Sequence, residues 1–270
     1  MVTIDEVKNY WQENPLYSFE IKELGSQKFF DEVDRIKRED VEAFSLDFWE
    51  FEKFKNKKIL DIGCGNGWLT VNYSLQGGNV YAIDLTNRAV ELTKGHLEYK
   101  KASANVREGN AEGLDFENNY FDLIISSGVL HHIPNTYQAF KECYRVLKPG
   151  GKAKVSLYHK GILNNKFLFT FSKLLMKLFE VKHPGANLTE AKDVSDFIRR
   201  YDGNQNPFGI GKSTKEWICF LNNTGFLVKK HELHYFPKRF IPINKYLPKF
   251  THSFLDKYFG TMIYFELAKP

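Results

Sequence analysis

The sequence predicts an α/β fold, a parallel sheet covered by helices on both faces. Three observations carry that prediction. Between Lys57 and Tyr158 short β-type runs alternate with helical patterns, the order that βαβ crossovers impose. A turn through Gly63, Gly65 and Gly67 directly follows the first of these runs and opens a helical pattern, as a strand-to-helix turn with left-handed backbone would. Hydrophobic residues make up 43% of the 270 positions, enough for one large domain or a core with an elaboration.

The predicted strands of the central segment, taken in chain order, read KKILDI, NVYAIDL, ANVREG, YFDLIISS and GKAKVSLY. Helical stretches start near Asn66, Asn87 and Thr136, and the last runs to Val146, where Lys148-Pro149-Gly150-Gly151 stops it. Residues 1–55 read as an aromatic-rich helical cap, 56–160 as the core, and 161–212 as a covering insertion. Within that insertion, Phe167 to Phe179 is an amphipathic helix, interrupted by Ser172, Lys173 and Lys177. The loop YDGNQNPFG that follows is too rich in turn formers to be regular. Residues 213–270 complete the core. A capping box, STKE, starts a helix over Ser213 to Asn223, Gly225 ends it, and Phe226 to Glu232 and Met262 to Ala268 are strands, with a lid over 237–259.

Composition excludes several classes. Cys64, Cys143 and Cys219 are far apart and show no metal-ligand spacing, so neither a zinc site nor a disulfide framework is expected, and a reducing, cytoplasmic setting fits. Cys143 and Cys219 fall on helical patterns and read as core. The N-terminal MVTIDEVKNYWQ lacks the apolar centre of a signal peptide, and no run approaches the roughly 20 apolar residues of a membrane-spanning helix. The net charge of +5 reads as a mildly basic surface. A sharper reading takes Lys229, Lys230, Lys238, Arg239, Lys245 and Lys249, interleaved with aromatics, as attraction for an anionic substrate or membrane surface.

The chemistry starts at ILDIGCGNGW. A strand ending in Asp61 and turning through three glycines brings backbone and a helix N-terminus to the carboxyl edge of the sheet, where open α/β sheets bind ligands. The spacing is GxGxG with an acid two residues ahead, not the GxGxxG that serves a pyrophosphate. Asp61 would repel a pyrophosphate and welcome an ammonium group. Asp84, at the end of the second strand, can accept both hydroxyls of a ribose. An adenosine with a cationic amino-acid tail and no phosphates satisfies both.

These residues carry a resemblance. ILDIGCGNGW, VYAIDLT, REGNAEGLDF, FDLIISSGVLHHI and RVLKPGG, in that order, resemble the five motifs of class I S-adenosylmethionine-dependent methyltransferases over residues 57–158. The resemblance implies a Rossmann-like seven-stranded sheet, mostly parallel, with its last strand antiparallel. It also implies S-adenosylmethionine as cofactor, no metal, and small-molecule methylation of the mixed group that includes quinone-pathway enzymes. By the same resemblance Asp61, Gly63, Cys64, Gly65 and Gly67 would hold the methionine part, Asp84 the ribose, and Leu85 one adenine face. Asn110 stands where the family often has Asp and would accept from the adenine amino group. Ala111 would offer its N–H beside Glu112, and Ser127 with Gly128 and Val129 would lie near the methyl.

Methyl transfer needs positioning and, for a hydroxyl, enol or protonated amine, a base. The candidates are His131 and His132 after the fourth strand, Tyr158 with His159 at the end of the fifth, and Tyr201 and Asp202 with Asn206 in the YDGNQNP loop. Each has a structural alternative, loop-holding for the histidines and a plain turn for the loop. Tyr10, Trp11, Asn14, Pro15 and Tyr17 either close over the cofactor or pack the cap on the sheet. Cys64 reads as a small turn residue. The expected acceptor is a small, partly apolar molecule, O-, N- or C-methylated, since 24 Phe, 14 Tyr and 4 Trp make an apolar enclosure. A lipid or membrane-associated acceptor is the second reading. A nucleotide-dependent oxidoreductase is disfavoured by GxGxG and Asp61. A nucleic-acid substrate would want NPPY or DPPY where SSGVLHHI stands, and a non-catalytic binder would be expected to lose Asp61, a glycine or Asp84. Oligomeric state is left open.

Overall fold

The structure is a computed structural model and describes residues 2–19, 21–39, 42, 44–178, 185–235 and 248–270. Of the expected lid, only 248–259 is described; Lys238, Arg239, Lys245 and Phe179 lie outside the described residues. Helices α1 (Ile4–Glu13), α2 (Gln27–Glu39) and α3 (Ser45–Trp49) precede the sheet. The alternating core follows as β1 (Lys58–Ile62), α4 (Trp68–Leu75), β2 (Asn79–Asp84), α5 (Asn87–Lys100), β3 (Asn105–Glu108), β4 (Phe121–Ser127), α6 (Thr136–Val146) and β5 (Leu147–Tyr158). Then come α7 (Lys166–Leu178), α8 (Val194–Arg200), α9 (Thr214–Asn223), β6 (Leu227–His234), α10 (Lys249–Phe259) and β7 (Met262–Ala268).

The seven strands form one sheet in the order β3-β2-β1-β4-β5-β7-β6. Strands β1 to β5 pair in parallel, and β7 lies antiparallel between β5 and β6. The order reverses between β1 and β4, the switch point at which α/β sheets open a crevice at their carboxyl ends. The mostly parallel sheet with an antiparallel last strand is the predicted one.

Local chemistry explains the boundaries. Gly67 is left-handed (φ +81°) and starts α4 at Trp68 rather than at Asn66, while Asn66 Oδ1 accepts the Trp68 N–H at 3.2 Å. The predicted capping box closes α9, with Ser213 accepting the Glu216 N–H and Glu216 accepting the Ser213 N–H. Strand β5 starts at Leu147 and so takes in Lys148 to Gly150, expected only as a helix stop ahead of GKAKVSLY: Leu147 pairs with Phe121, and the register shifts before Leu123. Cys143 is core as expected, but Cys219 is exposed, because it lies on the solvent face of α9 opposite Trp217 and Leu221.

One sheet face packs Phe140, Cys143, Trp217, Leu221 and Phe265 under α6 and α9. The other packs Phe29, Phe30, Trp49, Trp68 and Tyr73 under the N-terminal helices and α4. A third cluster joins Tyr158 at the end of β5 to Phe169 of α7, Phe197 of α8 and Tyr201. The N-terminal aromatics Tyr10, Phe29, Phe30, Phe48 and Trp49 thus bury against the sheet domain. An ion pair locks that cap to the sheet: Lys154, 1% exposed in the middle of β5, reaches Glu50 Oε2 at 2.7 Å and donates to the Phe48 carbonyl.

Burial alone would raise the pKa of Glu50, but hydrogen bonds from Lys154 and Lys53 pull it down to about 2. A depressed carboxylate stabilises the fold above its unfolded value, near 4.3, and that contribution is lost as pH falls toward 2. Lys154→Ala should therefore cost about 3–5 kcal/mol at pH 7. In acid titrations followed by circular dichroism the variant should also begin to unfold at higher pH than the wild type; equal acid midpoints and equal stability would show that the pair does not hold the cap.

Candidate active site

At the switch point lies a cavity of about 270 Å³. Its floor is the turn after β1. The side chain of Asp61 is 1% exposed, and its Oδ2 accepts the Thr70 hydroxyl at 2.6 Å; the Thr70 backbone adds a second bond. Asp61 therefore occupies, with its own carboxylate, the anion position that the N-terminus of α4 would otherwise offer a phosphate. Burial pushes its pKa up to about 7, against the Thr70 bond, and the nearby Asp84 adds to the rise.

The three glycines differ in what they do. A Cβ on Gly63 would meet Val129 at 2.4 Å, and one on Gly67 would meet the Thr93 backbone at 2.9 Å, so these two permit packing. A Cβ on Gly65 would meet nothing closer than 4.0 Å. Gly65 lies on the cavity wall, and its missing side chain leaves room for a ligand. Expected bare N–H groups are mostly spent internally: Gly63 and Cys64 donate to the Ile83 carbonyl, Gly65 to Asp84, and Gly67 to the Cys64 carbonyl. Helix α5 clamps the turn, through Thr93 Oγ1 donating to the Gly65 carbonyl and His96 Nδ1 at 2.9 Å from the Asn66 carbonyl.

Asp84 ends β2 on the wall. Its Oδ1 takes the Thr86 N–H and hydroxyl at 3.0 Å each, and its Oδ2 takes the Gly65 N–H at 3.1 Å. Burial raises its pKa despite these bonds. The Leu85 backbone also bonds to Asp84, so most of the carboxylate's roughly four acceptor positions are engaged within the protein, where the sequence predicts two free for ribose hydroxyls. Leu85, Ala111 and Ile83 supply apolar wall beside it, and Ser127, Gly128 and Val129 close the turn after β4. A carboxylate for an ammonium group, a glycine gap, an acceptor on β2 and an apolar slot fit an adenosine with an amino-acid tail.

Three predicted cofactor contacts are off the wall. Asn110 Oδ1 accepts the Glu112 N–H at 3.0 Å, Glu112 accepts the Asn135 N–H at 2.9 Å, and Gly67 packs on α5. Cys64 lines the cavity, but burial first and the two carboxylates next push its thiol well above the ordinary range, so it stays a neutral turn residue.

The lining also draws on β5, the turn after β4, the loop after α8 and the cap. Tyr158, Tyr201, Asp202 and His132 contribute to it with Trp11. The Tyr158 hydroxyl donates to Asp202 Oδ2 at 2.5 Å, and His132 Nε2 lies 3.0 Å from the same oxygen. His132 Nδ1 sits 2.7 Å from the Phe208 carbonyl, which can only accept, so that nitrogen carries a proton and Nε2 is the one that faces Asp202. Tyr10 donates to the Asp202 backbone carbonyl, and Trp11 packs edge-on against His132 at 5.1 Å.

His131 is corrected. It is fully buried behind His132 and Tyr158, neither ring nitrogen has a partner among the described residues, and burial holds its pKa well below the usual range. It does not reach the cavity. His159 also turns away, between the Gly260 carbonyl and Thr214, and Asn206 ties its own loop to the Arg199 carbonyl.

Sequence reasoning missed Lys37, Glu42, Ser156, Tyr235 and Tyr264, which also line the cavity. Lys37 and Glu42 form a pair at 2.5 Å with both side chains nearly buried. Lys37 lies on an amphipathic helix and Glu42 in a loop, positions at which charges normally face solvent, so no local pattern marks them.

The family described as "Methyltransferase domain" matches residues 60–155. The chain is 30% identical over 184 residues to the ubiquinone/menaquinone biosynthesis C-methyltransferase UbiE of Vibrio cholerae, covering 65% of this chain and 70% of that protein. It is 29% identical over 116 residues to the ubiquinone biosynthesis O-methyltransferase of Coxiella burnetii, covering 43% of this chain; there it spans about half the relative's length, 49%. In fold it is similar to the phosphoethanolamine N-methyltransferase 2 of Haemonchus contortus, solved with S-adenosylhomocysteine, with a TM-score of 0.61 at 16% identity over 100% of this chain and 61% of that one. By its motifs, its sheet and its similarity to the Vibrio protein, the chain belongs to the class I S-adenosylmethionine-dependent methyltransferases.

Proposed function

We propose that the protein transfers a methyl group from S-adenosylmethionine to a small, partly apolar acceptor. The observation that carries this reading is one enclosure with two unlike walls. Asp61, Gly65 and Asp84 form a donor wall, and Asp202, His132 and Tyr158 form an acceptor wall. The bound donor would supply a sulfonium methyl whose positive charge is neutralised as the methyl leaves.

The protein's own groups do the rest. Asp61 faces the ammonium end, Asp84 and Leu85 fix the nucleoside, and Trp11 with the aromatic wall excludes water. A proton released by a hydroxyl, enol or protonated amine passes to the Asp202 and His132 pair, whose shared contact at 3.0 Å lies on the wall. Leu16 and Phe19 are both on the wall and 43% and 50% exposed, so the cavity opens through apolar residues. An acceptor with an apolar body and one ionisable polar group matches that mouth. Both quinone-pathway relatives are consistent with a lipid-borne acceptor as the second reading.

Two experiments test these roles. Asp202→Asn keeps the Tyr10 bond to the backbone carbonyl and removes the negative charge. In steady-state assays of S-adenosylhomocysteine release with phenolic acceptors, kcat should fall by about 10²–10⁴ with donor KM unchanged. An unaltered kcat would remove Asp202 from the proton path.

Because its pKa is near 7, Asp61 carries a proton at pH 6 that competes with the ligand ammonium. S-adenosylhomocysteine should bind about tenfold more weakly at pH 6 than at pH 8, and Asp61→Asn should bind weakly with no such slope. A carboxyl whose folded pKa is raised is stabilising only while protonated, and loses that ground as pH rises from about 4 to 7. Ligand-free Asp61→Asn should therefore melt above wild type at pH 8, by up to about 4 kcal/mol of stability; a lower melting temperature would contradict the assigned burial cost.

A further inference from the structure

Helix α7 presents two opposite faces. Phe169 and Met176 turn inward and pack in the cluster that contains Tyr158 and Tyr201, the residues of the acceptor wall. On the opposite face Phe167, Phe171, Leu174 and Leu178 follow one another at steps of four, three and four, so they form a single stripe along the helix. Their exposures are 75%, 47%, 60% and 69%. The rings of Phe167 and Phe171 lie parallel, 6.3 Å apart. An unbroken stripe of this size on a surface helix is the kind of patch that marks an interaction site.

Charge says what covers it. Lys166, Lys173 and Lys177 all fall on one flank of the stripe, about a quarter-turn away, and α7 contains no acidic residue. Lys173 is engaged with the Ala191 carbonyl, while Lys166 and Lys177 have no partner among the described residues. Apolar side chains flanked by lysines that can reach sideways to headgroups describe a helix lying in the plane of a lipid interface. No described helix is long and apolar enough to cross a membrane, which fits lying on one. A second copy of the chain is a poorer occupant, because paired α7 helices would bring lysine flanks of the same sign together without acids between them. Helix α10, which contacts the same turn at Gly161–Asn164, adds exposed Phe254 and Tyr258 and the lysine Lys257.

We propose that α7 docks the protein on an anionic lipid surface through the Phe167, Phe171, Leu174 and Leu178 stripe, with Lys166 and Lys177 on the headgroups. Docking would bring the acceptor wall close to the lipid-contacting helix, since the inner face of α7 belongs to the same cluster as Tyr158 and Tyr201. The inference does not depend on the methyl-transfer reading.

Vesicle flotation tests it, using phosphatidylglycerol-containing vesicles and pure phosphatidylcholine vesicles. Wild type should float with the anionic vesicles, less so as salt is raised. Phe171→Glu with Leu174→Glu should cut the floated fraction by about tenfold or more, with the thermal midpoint unchanged because both positions face solvent. Lys166→Glu with Lys177→Glu should abolish the preference for anionic vesicles, and this pair keeps the test open should the first variant fold poorly. Wild type that floats with neither vesicle, or charge-reversed helices that float like wild type, would overturn the proposal. So would a lipid-free dimer that the Phe171 and Leu174 substitutions convert to monomer, since the stripe would then belong to a second copy.

Discussion

The buried carboxylate of Asp61 at the N-terminus of α4 is the constraint on which the site depends. A helix that leaves a strand through three glycines would, left empty, present N–H groups and a positive dipole end to the crevice and attract phosphate. Here that position is filled from within by Asp61, held by Thr70. In the proposed reading the crevice turns a carboxylate toward its ligand, and the sign of the ligand it recruits reverses. Everything around the turn maintains this arrangement. Val129 sits where a Gly63 side chain would be, Thr93 and His96 brace the turn from α5, and Ser126 donates from β4 to the Ile62 carbonyl.

The sheet order then decides what the donor wall faces. Because β4 and β5 lie immediately across the switch point from β1, their ends deliver Ser127, Ser156 and Tyr158 to the same crevice. The insertion after β5 returns over them, and its loop drops Asp202 onto Tyr158 and His132. Helix α1 closes from the other side, with Tyr10 fixing the Asp202 backbone and Trp11 against His132. Three segments remote in sequence thus meet around one carboxylate. Burying Asp61, Asp84, Lys37, Glu42 and Lys154 carries a desolvation cost in each case, and the chain concentrates those costs in the cavity wall and at the cap.

Much of this was legible in the sequence. The strands and the starts of α5, α6 and α9 follow from periodicity, caps and glycine stops, which are local signals. Asp61, Asp84 and the glycines sit at strand ends within a tight spacing, so their convergence is also local. What escaped is set by distance in the chain. Nothing in HH distinguishes His131, buried and without a partner among the described residues, from His132, on the cavity; the Phe208 carbonyl, 76 residues away, and Asp202 make the choice. Asn110 and Glu112 look like ligand contacts by position, yet Asn110 accepts a backbone N–H of its own turn and Glu112 accepts the N–H of Asn135, 23 residues on. Lys37 and Glu42 belong to segments that read as solvated, and the cap folds them inward.

The central claim is that this crevice accepts a phosphate-free adenosine with a cationic tail and rejects a pyrophosphate. Calorimetric titration of the wild-type protein at pH 8 with S-adenosylhomocysteine and, separately, with NAD addresses it most directly. Saturable one-to-one binding of S-adenosylhomocysteine and no measurable heat from NAD are expected. Tight NAD binding with no response to S-adenosylhomocysteine would contradict the claim.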